Sequence, residues 1–166
     1  MIRPSLLSLL LLASCASSTG RRQDVHLAPN APVDRPVQFS GNDPNEAMAR
    51  WRALVAPHVE KARVTYPEAK GRYLAGLPPR QTFFVTTLLR DGEGHFEYVF
   101  LVVHRIAEGK VTGQIATAVN LVRGYRNGDA VTFAETDVLD WMISRPDGSE
   151  EGNLVGKFLD TQAREQ

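Results

Sequence analysis

Cysteine is almost absent from this chain of 166 residues, since the sequence contains one, at Cys15. A single thiol cannot form a disulfide within the chain, and it cannot supply the paired cysteines of a structural zinc site. Redox chemistry through a cysteine pair is excluded for the same reason. The folded part of the chain must therefore be stabilised by packing alone.

An excess of charge of either sign is also absent. The sequence has 19 Lys and Arg residues and 19 Asp and Glu residues, which gives a formal net charge of 0 at pH 7. Binding to the phosphates of a nucleic acid needs a basic face. The balance of charge therefore argues against a nucleic acid as partner.

The apolar run at the N-terminus is too short to span a membrane, which takes about 20 residues as a helix. This leucine-rich run over residues 6–12 follows Arg3 and ends in the small residues Ala13 and Ser14. A positive start, a short apolar segment and small residues are the three parts of a secretory signal. We expect the segment to direct export and to be cleaved.

The four residues Leu12-Ala13-Ser14-Cys15 resemble the lipobox of bacterial lipoproteins. The resemblance implies that residues 1–14 are the signal peptide. It also implies that Cys15 is lipidated as the first residue of the mature protein, which anchors the protein to a bilayer. By resemblance to Gram-negative lipoproteins, Ala16 rather than an aspartate after the cysteine implies the periplasmic face of the outer membrane. The alternative is an ordinary small-residue cleavage site in which the cysteine is incidental.

Residues 19–45 are rich in Pro, Asn, Asp, Ser and Gly, and the prolines are spaced too closely for regular structure. This composition is typical of a flexible tether. We therefore divide the chain into a signal peptide (1–14), a tether (15–43) and a folded domain (44–166). A domain of this size can bury a single core without disulfides.

Helical spacing begins after Asp43, which can cap the first amides, with Pro44 at the first helical position. Apolar residues then recur on one helical face: Ala47, Trp51, Leu54 and Val55. Pro57 predicts a kink or restart, and Pro67 predicts the start of a second, shorter helix that ends at Gly76. The sequence thus predicts two N-terminal helices.

From Thr82 onward the pattern changes to the β-branched and aromatic residues that are typical of strands. Turn residues separate three such segments, which predicts three consecutive antiparallel strands. The predicted segments are 82–89, 95–106 and 110–119. A fourth strand is predicted at 130–134, and 138–143 is predicted as a short strand or a helical turn.

Strands that follow helices indicate an α+β domain. We expect the N-terminal helices to pack on a twisted, partly rolled antiparallel sheet of four to six strands. The chain has no internal repeat, so one domain is expected.

Several short motifs occur in the order found in one bacterial family, and they cover about residues 66–158. They are Phe84-Val85, Glu97-Tyr98-Val99-Phe100, Gly113-Gln114-Ile115, residues 128–133, residues 138–143, Asp147-Gly148 and Gly152-Asn153. In these motifs the chain resembles the DUF2314 family, which includes YegJ-like proteins. The most specific motif is Asp140-Trp141-Met142, and the chain departs from the family at Thr117 and Val119, where Asn and Pro are expected. The resemblance implies a fold and no established activity.

The pair Asp140-Trp141 has two interpretations. In the first, the carboxylate accepts hydrogen bonds from loop amides or an indole N–H while the ring fills the core, which fixes the last segment to the sheet. In the second, Trp141 forms the wall of a ligand groove. The candidate lining residues of such a ligand or partner groove are Glu97, His104, Asp140, Trp141 and Asn153.

The sequence contains no catalytic or metal-binding motif, and no cofactor is implied. It lacks Gly-x-Ser-x-Gly, and none of the four histidines lies three or four residues from another. His104 lies in an apolar segment that we expect to be buried, which predicts a hydrogen-bonded histidine in the core or at an edge. Asp137 and Asp140 are candidates for acid–base chemistry as in a glycosidase, although acids at a strand end usually cap or face water.

Three hypotheses about function remain. The first is a lipid-anchored periplasmic module without catalytic activity, which binds an envelope protein or a small ligand through a groove or an exposed sheet face. The second is an envelope hydrolase that uses Asp137 and Asp140. The third is an immunity-type protein that neutralises a toxin at the membrane.

Overall fold

A computed structural model of the protein describes residues 43–164. The predicted signal peptide, Cys15 and the predicted tether up to residue 42 lie outside the described residues, as do residues 165–166. Within the described part, no helix is long and apolar enough to cross a membrane.

The described chain forms two helices and six strands, and the predicted α+β class is confirmed. In chain order the elements are helix α1 (Pro44–Ala75), strands β1 (Thr82–Arg90), β2 (Phe96–Ala107), β3 (Lys110–Ile115) and β4 (Ala130–Ala134), a 3-10 turn (Glu135–Asp137), strands β5 (Asp140–Ser144) and β6 (Glu150–Gly152), and helix α2 (Leu154–Arg164). One helix precedes the strands and the other follows them.

The six strands form one open antiparallel sheet in the order β4-β3-β2-β1-β5-β6. The first four strands follow one another along the sheet, as a meander. The chain must then return from β4 at one edge to β5, which pairs with the other side of β1. The connection that makes this return, residues 135–139, brings Val138 into the core.

Side chains alternate between the two faces of the sheet along each strand, and apolar residues occupy both faces. The first face carries Phe83 and Val85, and the second face carries Phe84. The C-terminal half of α1 packs on the first face through Ala62, Tyr66 and Ala69. On the second face the core contains the N-terminal half of α1 and helix α2, through Trp51, Val55, Val59, Val155 and Leu159. Helix α1 therefore passes from the second face to the first along its length.

Helix α1 begins where the sequence predicts. Asp43 is its N-cap, and one carboxylate oxygen accepts a hydrogen bond of 2.7 Å from the Asn45 N–H. Pro44 fits the first turn because the amide that it lacks would have no helical partner there. Gly76 ends the helix with a φ of 97°.

The predicted restart at Pro57 and the predicted second helix from Pro67 are wrong, since one helix of 32 residues runs through both prolines. Each proline lacks the N–H that would bond the carbonyl four residues earlier, at Ala53 and at Arg63. All four of these residues are exposed, so water can reach the two carbonyls. Burial of the opposite side of the helix against both faces of the sheet outweighs the two lost hydrogen bonds.

Strand β6 and helix α2 are absent from the sequence prediction. Helix α2 has apolar residues at helical spacing, at Leu154, Val155, Phe158 and Leu159. Its 11 residues, which include Gly156, are short for an independent helix. The packing of Val155 and Leu159 in the second-face core stabilises it instead.

Gly152, the last residue of β6, lies against the backbone of Trp141. Its φ is +78°, and a Cβ atom there would collide with the Trp141 carbonyl oxygen and lie 2.9 Å from ring atom Cε3. Only glycine therefore allows the end of β6 to approach the tryptophan this closely.

We expect Gly152→Ala to lower the free energy of unfolding by about 3 kcal/mol, because overpacking adds to the strain of a left-handed alanine. Gly148→Ala is the matched control: its φ is +82°, but a Cβ atom there has no neighbour within 4 Å. The control should lose about 1 kcal/mol, from backbone strain alone. Urea unfolding measures both variants, and equal losses would contradict the close approach at Gly152.

Candidate functional site

Asp140 is the first residue of β5, and its side chain is 1% exposed. One carboxylate oxygen accepts a hydrogen bond of 2.7 Å from the Trp141 N–H, and the other accepts one of 2.6 Å from the Val155 N–H. The Val155 amide belongs to the first turn of α2, whose amides lack partners within the helix. Asp140 therefore attaches α2 to the second face of the sheet.

Trp141, the next residue, points to the first face. Its indole N–H lies 3.2 Å from the Ala62 carbonyl oxygen and 3.0 Å from the Thr65 hydroxyl, both on α1. Its carbonyl oxygen accepts a hydrogen bond of 2.8 Å from the Asn153 N–H, just before α2. The side chain is 5% exposed. These contacts agree with the interpretation in which the Asp140-Trp141 pair fixes the last segment to the sheet.

Arg72 of α1 covers the outer side of Trp141. Its guanidinium lies 5.9 Å from the ring centroid and forms two hydrogen bonds, of 3.1 and 2.5 Å, with the carboxylate of Glu151. These hydrogen bonds lower the pKa of Glu151. Arg145 adds a second ion pair to Glu151 at 2.7 Å. The environment of Trp141 is thus occupied by other side chains of the domain.

Burial raises the pKa of Asp140 to about 6, although the N–H groups of Val155, Trp141 and Leu154 oppose the shift. Lys157 also favours the charged form. Desolvation dominates because the carboxyl group lies between the sheet and α2, away from water.

Glu97 of β2, another predicted site residue, is 1% exposed and holds a loop. Its carboxylate accepts hydrogen bonds from the N–H groups of Asn120 and Leu121 at 2.9 to 3.0 Å, and a longer one of 3.4 Å from Val122. Glu97 points to the first face and Asp140 to the second. The structure therefore does not bring these two acids together.

Asp91, in the β1–β2 turn, holds the same loop. It accepts hydrogen bonds from the N–H groups of Arg123, His95 and Glu93 and lies 3.0 Å from the His95 ring. Burial opposes ionisation, but these hydrogen bonds lower the pKa of Asp91 to about 2. The loop over residues 116–129 is thus fixed by two acids of one hairpin.

The prediction that His104 is buried is wrong, because it is exposed. Val103 pairs with Gly113 and Arg105 pairs with Thr112, so His104 is the extra residue of a β-bulge. The bulge changes the alternation of side chains along β2 and turns His104 outward. This histidine lies apart from Asp140, Trp141 and Asn153, which the structure does bring together.

The proposed acid pair is not arranged for catalysis. Asp137 is exposed, but Asp140 is buried with both oxygens in hydrogen bonds to the main chain. A glycosidase needs both carboxyl groups to reach the substrate. Among residues 43–164, moreover, no three His, Cys, Asp or Glu side chains are grouped closely enough to hold a metal ion.

A different region forms a cleft with a volume of about 740 Å³. We call it the α1 groove. The floor is apolar, and Trp51, Val55, Val59, Leu88 and Leu139 form it. The rim carries two basic and two acidic residues, Arg52, Arg63, Glu60 and Asp137. A half-enclosed apolar floor with a charged rim is typical of a binding site.

The α1 groove lies beside a strand edge that has no neighbour in the described chain. Thr82–Thr86 of β1 pair with β5, and Thr87–Arg90 extend beyond it. The Leu139 N–H donates a hydrogen bond of 2.9 Å to the Thr86 carbonyl, so even-numbered residues of β1 direct their main-chain groups to this side. Leu88 therefore directs its N–H and C=O toward the groove.

A smaller cavity of about 110 Å³ adjoins the groove at Arg63 and Leu139. The buried Tyr66 hydroxyl lines it beside Glu135 but makes no hydrogen bond of good geometry there. Burial and the nearby carboxylate raise the pKa of Tyr66. Lys70 forms an ion pair of 2.5 Å with Glu135. This end of the groove is thus the more polar one.

Residues 60–163 match the family described as an uncharacterized protein conserved in bacteria, DUF2314. The chain belongs to the DUF2314 family. The match begins within α1, so Trp51, Val55 and Val59 of the groove floor precede the part of this DUF2314 chain that is matched. No similar curated protein and no similar solved structure was found.

The α1 groove of this DUF2314 chain is not among the sites that the sequence predicts. Trp51 and Val55 are predicted on an apolar helix face, but such a face fits a core helix equally well. Leu88 lies in a predicted strand. Its open edge depends on the pairing of β1 with β5, and these strands are about 50 residues apart in sequence. The sequence offers one signal for this open edge, because the predicted segment 138–143 is shorter than the predicted strand 82–89.

The pKa of Asp140 predicts how stability depends on pH. The ordinary pKa is 3.8 and the folded value is about 6, so the folded chain binds the proton more tightly. The carboxyl group therefore contributes stability below about pH 4 that is lost as the pH rises through about 6. The stability of the wild type relative to Asp140→Asn should fall by on the order of 1 to 3 kcal/mol between these limits.

Urea unfolding of both proteins at about pH 4 and about pH 7 measures this difference. Asp147→Asn is the control with the opposite sign, because hydrogen bonds from Ser149 lower the pKa of Asp147. The contribution of the Asp147 carboxyl group to the free energy of unfolding should grow as the pH rises. A stability difference for Asp140 that does not change with pH would show that its pKa is not raised.

Proposed function

We propose that this DUF2314 protein is a lipid-anchored, non-catalytic interaction module of the bacterial cell envelope. Its α1 groove binds an extended segment of another envelope protein. The observation that carries the proposal is the position of the groove against the β1 edge at Leu88, which continues past the end of β5.

An extended peptide can join this edge as a further strand. The Leu88 N–H and C=O are directed toward the groove, and Arg90 has the same orientation two residues later. A peptide that runs antiparallel to β1 would continue the line of β5. Main-chain hydrogen bonds give affinity in this mode of binding, and pockets for alternate side chains give specificity.

The groove floor supplies the second element of recognition. Side chains of an added strand alternate between two directions, so every second one would face α1. There it would meet the apolar residues that line the groove on α1, which are Trp51, Val55 and Val59. Contact with an aromatic and branched apolar surface favours apolar side chains at those positions.

The rim supplies the third element, because its charges have fixed positions. The Arg63 guanidinium lies 3.4 Å from the Val138 carbonyl oxygen and 3.3 Å from the Thr136 carbonyl oxygen. Asp137 lies between these two carbonyls in sequence, and its own carbonyl accepts a hydrogen bond of 3.0 Å from the Thr87 hydroxyl. Charges of both signs favour a segment that alternates apolar and charged residues.

A binding role rather than catalysis is supported by how the buried acids are used. The carboxylate oxygens of Asp140 and Glu97 accept hydrogen bonds from main-chain N–H groups. These bonds fix α2 and the loop over residues 116–129. An acid that performs proton transfer needs to reach the substrate. Asp140 and Glu97 instead bind main-chain groups within the domain.

The envelope location rests on the sequence. Leu12-Ala13-Ser14-Cys15 resembles a lipobox, and the segment that follows has the composition of a tether. Two or more acyl chains on Cys15 would give a stable anchor in a bilayer. The tether would then present the α1 groove to proteins of the envelope.

The anchor is tested with Cys15→Ala. In the wild type we expect a mature N-terminus at an acylated Cys15, detected by mass spectrometry, and recovery in the membrane fraction. Cys15→Ala should lose both properties, because the alkylated thiol is gone, whereas Ser17→Ala should retain them. Cleavage at another position that leaves an unmodified, soluble protein would contradict the anchor.

The groove is tested by photocrosslinking in intact cells. A photoreactive amino acid in place of Arg52, on the groove rim, should form an adduct with one envelope protein. The same amino acid in place of Val64, which is 76% exposed on α1 and does not line the groove, is the control and should not.

Two substitutions at Leu88 then test the strand edge. Leu88→Pro removes the N–H that faces the groove and leaves the β2 side of β1 intact, so the adduct should be lost. Leu88→Val shortens the side chain but keeps the N–H and should retain the adduct. Thermal unfolding confirms that both variants fold. An adduct with residues 16–42 of the same chain, or one unaffected by Leu88→Pro, would contradict the proposal.

A further inference from the structure

Strand β4 forms one edge of the sheet and lacks the features that usually protect such an edge. Its five residues, Ala130-Val131-Thr132-Phe133-Ala134, include no charge and no proline. Natural edge strands are commonly protected by Lys, Pro or a bulge, because unpaired main-chain groups attract another strand. The β4 edge is therefore suited to pair with a further chain.

The main-chain groups at this edge follow from the pairing of β4 with β3. The Ile115 N–H donates to the Asp129 carbonyl (2.9 Å), and the Glu135 N–H donates to the Gly109 carbonyl (2.8 Å). Odd-numbered residues along β4 thus direct their main-chain groups to β3, and even-numbered residues direct theirs outward. The outward set comprises the N–H and C=O groups of Ala130, Thr132 and Ala134.

The sequence of β4 fits pairing with a second copy of the same strand. Read in either direction, it is alanine, an apolar residue, threonine, an apolar residue and alanine. Antiparallel pairing about Thr132 would place Thr132 opposite Thr132, Val131 opposite Phe133, and Ala130 opposite Ala134. We propose that β4 pairs in this register with β4 of a second copy of the chain, which joins the two sheets into one.

This register uses every outward group. Residues 130, 132 and 134 of each copy form hydrogen-bonded pairs with 134, 132 and 130 of the other, so all their N–H donors meet carbonyl acceptors. A two-fold axis through the Thr132 pair makes the contact closed and self-complementary, which is the common symmetry of homodimers.

The side chains of β4 also suit a second copy. Val131 and Phe133 are half-buried at the margin of the first-face core, and their counterparts would extend that core across the axis. On the second face, the exposed Thr132 hydroxyl lies 2.9 Å from the Thr112 hydroxyl. Pairing would extend these two hydroxyls into a row of four.

Charges lie only at the ends of the pairing. Asp129 precedes β4 and Glu135 follows it, so each would face the other acid of the second copy. Arg126 lies 3.5 Å from Asp129, and Lys70 lies 2.5 Å from Glu135, which compensates both charges within each copy. The contact is small, so the association is a weak one. It is separate from the α1 groove and does not depend on it.

The register is tested by disulfide formation in the full-length chain. Thr132→Cys places two thiols at the axis and should give a covalent dimer on mild oxidation. Thr112→Cys lies one strand inward, so its two thiols would be about 14 Å apart and should not link. The wild type, with Cys15, controls for links through that residue. Equal linkage of the two variants would overturn the proposal.

The hydrogen bonds are tested by sedimentation of the purified full-length chain. Thr132→Pro removes the outward N–H of each copy without affecting the β3 side, and it should weaken the dimer by at least about tenfold. Thr132→Val keeps the N–H and should leave the dimer unchanged. A wild type that stays monomeric at all concentrations, or a dimer that Thr132→Pro does not weaken, would overturn the proposal.

Discussion

The fold depends on the fact that two consecutive residues of a strand point to opposite faces of the sheet. At the start of β5 these residues are Asp140 and Trp141. The carboxylate holds the first turn of α2 on the second face, and the indole N–H holds α1 on the first. One dipeptide thus connects three elements, and the glycine at 152 leaves space for it.

Acids that bind main-chain N–H groups fix segments of this domain, a role that disulfides have in many small secreted domains. Asp140, Glu97 and Asp91 each accept hydrogen bonds from several main-chain N–H groups. Such bonds to a charged acceptor are about twice as strong as neutral ones and fix segments that have no regular structure. The acids are therefore part of the framework of the fold.

The sequence predicts those features that depend on neighbouring residues. The start of α1 at Asp43, the α+β class and the four strands that run from β1 to β4 follow from capping, spacing and turn residues. The continuity of α1 through Pro57 depends on which side of the helix faces water. The exposure of His104 depends on a bulge that only the pairing with β3 defines. The groove at Leu88 depends on where β5 stops along β1, and the pairing of these two strands is not defined by the local pattern of either.

The path of α1 has a mechanical consequence. Any chain that precedes the domain enters it at the start of α1, so a pull from that side acts first on the N-terminal end of the helix. The first half of α1 is held on the second face by apolar contacts through Trp51 and Val55. The Trp141 indole holds the helix further along, at Ala62 and Thr65. The missing amide at Pro57 lies between these attachments and weakens the helix there. Tension would therefore separate the first half from the sheet while the second half remains attached.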